Sequence, residues 1–364
     1  MLSHSTRIPR SIGRPPDRQM AIVSQLRQRI VGGELQPGER LPNRSEIEST
    51  FAASSITVQR ALDQLISDGF VSVRGRLGSF VTDNPPHLNR YAVVFASHPG
   101  MQWSQFTQAL LSEGQRVLHA SEREFGFYYD MDGHEDSEDY QQLLRDLESH
   151  RIAGIIFTFL PYLYFNSPLF ADEKLPRVAI GTSEAPHLRS VNTDRHSFLD
   201  KALDYVATRG CRTVAFLNSP DTLSQEYVEK ALAARGLTSQ PFWQLRIGLD
   251  LPASARESTH LMFHVGQKQR PDALIISDDN LVQHATGGLI DAGARVPHDV
   301  EVVAHCNFPH PTPSVVPVKR LGFDTREVLQ TMLETIDAQR RGEKVPQLAS
   351  IKARFEDELI ASVR

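Results

Sequence analysis

Apolar residues in the first eighty positions recur at helical spacing, in short blocks separated by turn residues. Ile22, Val23, Leu26 and Ile30 fall on one face, behind Asp17 as a candidate N-cap, and Gly32-Gly33 closes the block. LQPGERLP is turn-rich and sends Leu35 and Leu41 toward a core. Asn43 or Ser45 is positioned to cap a second short helix with Ile47 and Phe51 inward. After Ala52-Ala53, Ser54 or Ser55 opens a third helix, in which Val58, Ala61, Leu62 and Leu65 repeat at 3, 4 and 7 before Gly69 ends it. FVSVRG and GSFVTD then alternate apolar and polar positions, as two strands joined at a tip over residues 74–78.

Three helices followed by a two-stranded wing predict a winged helix-turn-helix over residues 17–82. Residues 1–16, rich in Arg, Ser and Pro without a period, read as a disordered arm. DNPPHLNR, 83–90, reads as a semi-stiff Pro/Asn linker. From Tyr91 the pattern changes. YAVVFA, EFGFYYD, AGIIFTF, RVAIG, TVAFL, FWQLRI, ALIIS and VEVVAH read as strands. They are separated by helix-length segments near 102–119, 138–149, 195–209, 224–235, 254–268 and 280–292, with a last helix near 324–341. Such alternation predicts an α/β body, 91–364, of doubly wound parallel sheets in two lobes.

Charge sharpens this division. Residues 1–84 hold 11 Arg, no Lys and 8 Asp and Glu, a balance of +3 within a chain of net charge −5. A basic head on an acidic body suits a head that meets a polyanion. No run of about 18 apolar residues predicts a membrane span. The N-terminus has no apolar stretch of a secretory signal. Cys211 and Cys306, the two cysteines, fit a reducing cytoplasm rather than a disulfide framework.

The stretch IVGGELQPGERLPNRSEIESTFAASSITVQRALDQLISDGFVSVRGRLGSFV resembles the GntR-family DNA-binding domain throughout. Gly33, Leu35, Pro37, Gly38, Leu41, Pro42, Glu46, Ser54, Thr57, Val58, Ala61, Leu62, Leu65, Gly69, Gly78, Phe80 and Val81 match the family pattern. It departs where that family carries arginines: Ser45, Ser55 and Gln59 stand at those positions, with Arg44 beside the first. The body looks like the LacI/GalR-type effector domain, a periplasmic-binding-protein fold. The marks are LPRVAIGTSEAPHLRSVNTD, ALDYVATRGCRTVAFLNSPD and RPDALIISDDNLVQHATGGLIDAGARVPHDVEVVAHCN. His305-Cys306-Asn307 replaces the usual Gly-Phe-Asp, and Ser224 is nearest to where a ligand-gripping Arg is usual.

These resemblances imply a sequence-specific transcriptional regulator. Its partners would be duplex operator DNA, a small-molecule effector such as a sugar, and a second copy of the chain. Gln59 has the donor and acceptor to read adenine, and Arg60 suits guanine or phosphate. Ser54, Ser55 and Thr57, at an exposed helix start, suit a phosphate, as does Arg44. Arg74, Arg76 and Gly78 shape a wing tip that can approach a groove.

In the body, ligands are expected beyond the carboxyl ends of the strands, at 97–103, 159–164, 181–184, 219–221, 277–280 and 306–308. There Trp103 can stack on a sugar face, while Asp194, Asp278, Asp279 and Asn307 can bind hydroxyls. His98, His134, His150, His284, His305 and His310 are scattered, so no metal is expected. No nucleophile elbow or phosphate-binding loop follows a strand, so neither catalysis nor a cofactor is expected. The alternative is a winged head fused to an aminotransferase-like enzyme. Lys174, Lys201, Lys230 and Lys268 sit in no context for the Schiff base it would need. A transport-binding protein would carry a signal peptide and no such head.

Overall fold

The computed structural model of the protein describes residues 15–99, 103–120, 122–220 and 223–361. At the N-terminus, α1 (Pro15–Val31), α2 (Arg44–Phe51) and α3 (Ser55–Ser67) pack around Ile22, Leu26, Leu41, Ile47, Val58, Leu62 and Leu65. α1 begins inside the expected arm, ahead of Asp17, because proline is well tolerated in a first helical turn. The rest of that arm, 1–14, lies outside the described residues.

Asn43, not Ser45, caps α2. Its side chain accepts from the Glu46 amide at 3.0 Å while Glu46 Oε2 accepts from the Asn43 amide at 2.8 Å. Ser54, not Ser55, caps α3 and accepts from the Thr57 amide at 3.2 Å. The wing is antiparallel β1 (Val71–Val73) and β2 (Ser79–Val81), with Val71 opposite Val81. Its tip turns at Gly78, whose φ of 109° suits glycine.

The linker is not the spacer its composition predicts. Residues Pro86–Asn89 form a helical turn, α4, with Pro86 buried and His87 stacked on Phe70 at 5.8 Å. Gly69, at φ 81°, faces Pro86 so closely that a Cβ there would lie 3.2 Å from the ring. Asn84 donates to Glu122 at 2.9 Å and Arg340 to the Leu88 carbonyl at 2.7 Å. Two prolines fix the backbone locally, and burial against both neighbours does the rest.

The body is two parallel-sheet lobes, each of six strands among the described residues. The strands of the first half are β3 (Arg90–Val94), β4 (Glu124–Tyr128), β5 (Gly154–Phe157), β6 (Arg177–Ile180) and β7 (Arg189–Thr193). Its helices are α5 (Gln105–Ala120) and α6 (Glu138–Glu148). Next come α7 (Arg195–Thr208), β8 (Val214–Asn218), α8 (Gln225–Ala233), β9 (Gln244–Arg246), α9 (Ser254–Phe263) and β10 (Ala273–Ile276). The chain then forms α10 (Val282–Asp291), β11 (Glu301–Phe308), β12 (Lys319–Asp324) and α11 (Thr325–Arg340), and ends with β13 (Leu348–Ile351), β14 (Arg354–Phe355) and α12 (Glu356–Ala361).

Lobe 1 has the order β13-β7-β6-β5-β3-β4 and lobe 2 the order β14-β12-β11-β10-β8-β9. All pairs are parallel except β12 with β14. The sequence pattern finds the strands of both sheets, edge strands β4 and β9 included, except β7, β12, β13 and β14, which carry polar residues and form one side of each sheet.

Among the described residues the chain passes between lobes three times: from β7 into α7, from β12 into α11, and from β13 into β14. The crossings are tied together. The Asp194 amide donates to the Ile351 carbonyl at 2.8 Å, and the Ala353 amide donates to Ser197 Oγ at 2.9 Å.

Candidate nucleic-acid interface and interlobe cleft

The exposed side of α3 is the outward face of the head. Ser54, Ser55 and Arg60 are exposed, and Thr57 and Gln59 are half-buried. The Thr57 hydroxyl lies 2.9 Å from that of Ser54, so both serve the cap. Gln59 Nε2 donates to Asp63 Oδ1 at 2.6 Å, which engages the amide expected to read adenine. Arg44 is exposed on the first turn of α2. Arg76 is exposed at the wing tip, whereas Arg74 lies over the Phe80 ring at 4.8 Å and pairs with Asp83 at 3.2 Å. Ile56, which the apolar pattern did not single out, is 67% exposed beside these groups.

Between the lobes lies a cavity of about 560 Å³. Lobe 1 and the first crossing supply Ser104, Phe106, Ile180, Thr193 and Arg195. Lobe 2 supplies Asn218, Ser219, Ser277, Asp278, Asp279, Asn280, His305 and Asn307, above an apolar floor that includes Phe198, Phe216 and Phe323. Asn307 Nδ2 donates to Asp279 Oδ2 at 2.7 Å, and both residues are 1% exposed. The other Asp279 oxygen is 3.6 Å from His305 Nδ1. Asn307 Oδ1 and His305 Nδ1 are buried with no hydrogen-bond partner among the described residues. Asp278 accepts from the Asn280 amide at 3.0 Å and from its side chain at 2.7 Å. Asn280 Oδ1 in turn accepts from the Gln105 amide of lobe 1 at 3.0 Å. A second interlobe contact joins His310 Nε2 to buried Glu113 Oε1 at 3.0 Å. The lobes thus already touch across the cleft.

Residues 18–81 match the model of the bacterial regulatory proteins, gntR family, and residues 203–352 match that of the periplasmic binding protein-like domain. The chain joins a GntR-type head to a periplasmic-binding-protein-like body.

The head is similar to two curated relatives. It is 37% identical over 63 residues to the mannosyl-D-glycerate transport/metabolism system repressor MngR of Escherichia coli (strain K12), covering 17% of this chain and 26% of that protein. It is 40% identical over 62 residues to the HTH-type transcriptional repressor NagR of Bacillus subtilis (strain 168), covering 17% of this chain and 25% of that protein. The match thus spans about a quarter of those relatives.

The body shares its fold with LacI-family regulators. One, from Lactobacillus casei with bound glucose, superposes at a TM-score of 0.52 with 17% identity, over 74% of this chain and 98% of that one. Another, from Arthrobacter sp. FB24 in complex with lactose, gives 0.57 and 15%, over 74% and 97%. This body leaves no place for the aminotransferase-like alternative.

Of the expected ligand groups in the periplasmic-binding-protein-like body, Asp278, Asp279 and Asn307 meet in the cleft. Trp103 instead lines a neighbouring recess with Leu249, His284 and Thr312, its ring stacked on Phe95 at 5.0 Å. Asp194 stands at the first crossing, where it caps α7 and pairs with Lys352. Burial alone would raise its pKa, but the Lys352 ammonium and the Ser197 amide outweigh that and hold it below the ordinary carboxylate range. Of the expected strand ends, 159–164, 181–184 and the described residues of 97–103 do not line the cleft. Residues 100–102, 221 and 222 lie outside the described residues. Sequence reasoning missed Ser104, Thr193, Arg195 and Asn218, whose approach depends on how the chain crosses between lobes.

Among the described residues, no group of three His, Cys, Asp or Glu side chains is arranged to hold a metal ion, and no helix is long and apolar enough to cross a membrane.

Proposed function

We propose that the protein is a transcriptional regulator, acting as a repressor, whose hold on operator DNA is set by a small hydroxyl-rich effector in the interlobe cleft. One juxtaposition carries this reading: a winged head with an exposed α3 start is docked through α4 to a body whose lobes meet over a cleft of about 560 Å³. The cleft matches such a ligand in chemistry. Asp278, Asp279 and Asn307 present acceptors for hydroxyl hydrogens, and phenylalanines offer a floor for an apolar ring face. The relatives of the head are named repressors, and neighbours of the body hold glucose or lactose.

In this reading α3 enters the major groove of duplex DNA, Arg44 and Arg60 meet phosphate or guanine, and Arg76 and Gly78 carry the wing to the backbone. The protein acts as a homodimer in the cytoplasm, on half-sites related by two-fold symmetry. The domains are a head from Pro15 through residue 82, a docked linker over 83–89 and an effector body from Arg90 onward. An effector changes DNA affinity only through its different affinities for the open and closed lobes.

The test is selection of bound duplexes from a random pool at low salt, followed by binding titrations with and without a panel of sugars. A sequence-selective complex that one sugar weakens at least fivefold supports the reading. Indifference to every duplex at low ionic strength would end it.

A further inference from the structure

An isoleucine stands on the polar side of α3, in its first turn. Val58, Ala61, Leu62 and Leu65 face the core, all between 0% and 3% exposed. Ile56 precedes Leu65 by nine residues, about two and a half turns, so the two side chains leave the helix on opposite sides. Ile56 is 67% exposed, and its nearest helical neighbours on that side are Gln59, Arg60 and Asp63. A β-branched apolar residue there contributes nothing to the head core and slightly lowers helix propensity. It sits in the first turn, beside the Ser54 cap, where a groove-bound helix meets base edges. Its polar neighbours are constrained. Gln59 has its amide on Asp63 at 2.6 Å, and Ser54 is committed to Thr57.

In the major groove, the apolar group offered by a base edge is the C5-methyl of thymine. We infer that Ile56 is a specificity-determining residue that packs against a thymine methyl in the operator. The inference rests on the proposed DNA-binding function and names what the head reads. The head discriminates thymine by apolar contact at a point where Gln59 and Ser54 are already paired, beside an exposed Arg60 that remains available to phosphate or guanine.

Uracil tests this cleanly, because it differs from thymine only by that methyl. The full chain is first used to select its duplex, and each thymine of the selected site is then replaced by uracil, one at a time. Burying one methyl contributes about 0.8 kcal/mol, so about a fourfold loss of affinity is expected at one thymine per half-site. Ile56→Ala should lose affinity for the thymine duplex, keep its melting temperature, and no longer distinguish thymine from uracil there. Ile56→Val should retain part of the discrimination.

If the chain binds its selected duplex and every uracil replacement is neutral, the inference is overturned while the DNA-binding function stands. A selected site without thymine has the same meaning, as does Ile56→Ala weakening self-association and DNA binding together with discrimination intact. Failure to bind any duplex overturns the proposed function itself.

Discussion

Replacing Asn307 by alanine should destabilise the body more than the loss of one neutral hydrogen bond would. The Asn307 amide donates to Asp279 at 2.7 Å where both residues are 1% exposed, so the bond is shielded from bulk water although both residues border the cleft. The remaining Asp279 oxygen has His305 Nδ1 at 3.6 Å, beyond hydrogen-bond length. Asn307→Ala therefore strands a carboxylate. A hydrogen bond to a charged group contributes about 1.5–3 kcal/mol, and a value near 2 is taken here. At about 2–4 °C per kcal/mol, the transition of the body should fall by about 4–8 °C.

A cycle with Asp279→Ala separates this from loss of packing. If the carboxylate is the stranded group, the double variant should be less destabilised than the two single effects added, by about 1–2 kcal/mol. Urea and thermal unfolding of the four proteins give the answer. Additive losses, within about 0.5 kcal/mol, would refute the claim that the pair is satisfied only by itself.

Three further outcomes are expected. In Asn280→Ala the Gln105 amide loses its acceptor across the cleft; at about 1 kcal/mol for the bond, its hydrogen exchange should accelerate about fivefold, and unchanged exchange would show that the lobes are held elsewhere. Burial, then Arg340, pushes the His87 imidazole down to about 4. Both folded and unfolded chains therefore carry it neutral above pH 6.5. Below that the unfolded chain takes the proton first, and stability falls toward pH 4. His87→Phe keeps a ring on Phe70 and should flatten this phase in thermal melts taken between pH 7 and 4. Arg44→Ala should weaken binding to all duplexes and reduce the salt slope by about 1 while leaving sequence preference unchanged; a change of preference with overall affinity retained would contradict its assignment to phosphate.

How far the sequence could be read depended on the range of the forces involved. α3 was legible because its core positions lie within 13 residues and its cap is adjacent. β13 was not, because its partner β7 is far away in the chain and neither strand has a strong apolar alternation. The same holds in the cleft. Asp278, Asp279 and Asn307 lie at the ends of apolar strands and could be named from that pattern. Asp194 was grouped with them, but its Lys352 partner follows 158 residues later and ties it to the crossing. The linker departs from its composition for a related reason. Its prolines were visible, whereas the Gly69 and Phe70 surface that receives them became a surface only once the head had folded. Ile56 does carry a signal in the sequence, an apolar residue out of phase with the core stripe of α3.

The docked linker restricts how an effector could act on the heads. Asn84 and Arg340 bind the linker to lobe 1 on one side, and Phe70 and Gly69 receive it on the other. The head therefore travels with lobe 1. Lobe 2 is joined to that unit by three crossings, and Asp194, Lys352, Ser197 and Ala353 tie two of them together. In the proposed mechanism, closing the cleft would rotate lobe 2 against head and lobe 1 together, and within one chain it would leave the head facing lobe 1 as before. An effector can then change the spacing of two heads only if the partner chain is gripped by lobe 2, or by both lobes, so that closure in each subunit turns the lobe 1 units relative to one another. A dimer joined through lobe 1 alone would keep its heads fixed whatever filled the cleft. In the proposed homodimer, locating the subunit contact is thus as decisive for control as identifying the ligand, since differential affinity for two lobe arrangements has a consequence only where the interface feels the difference.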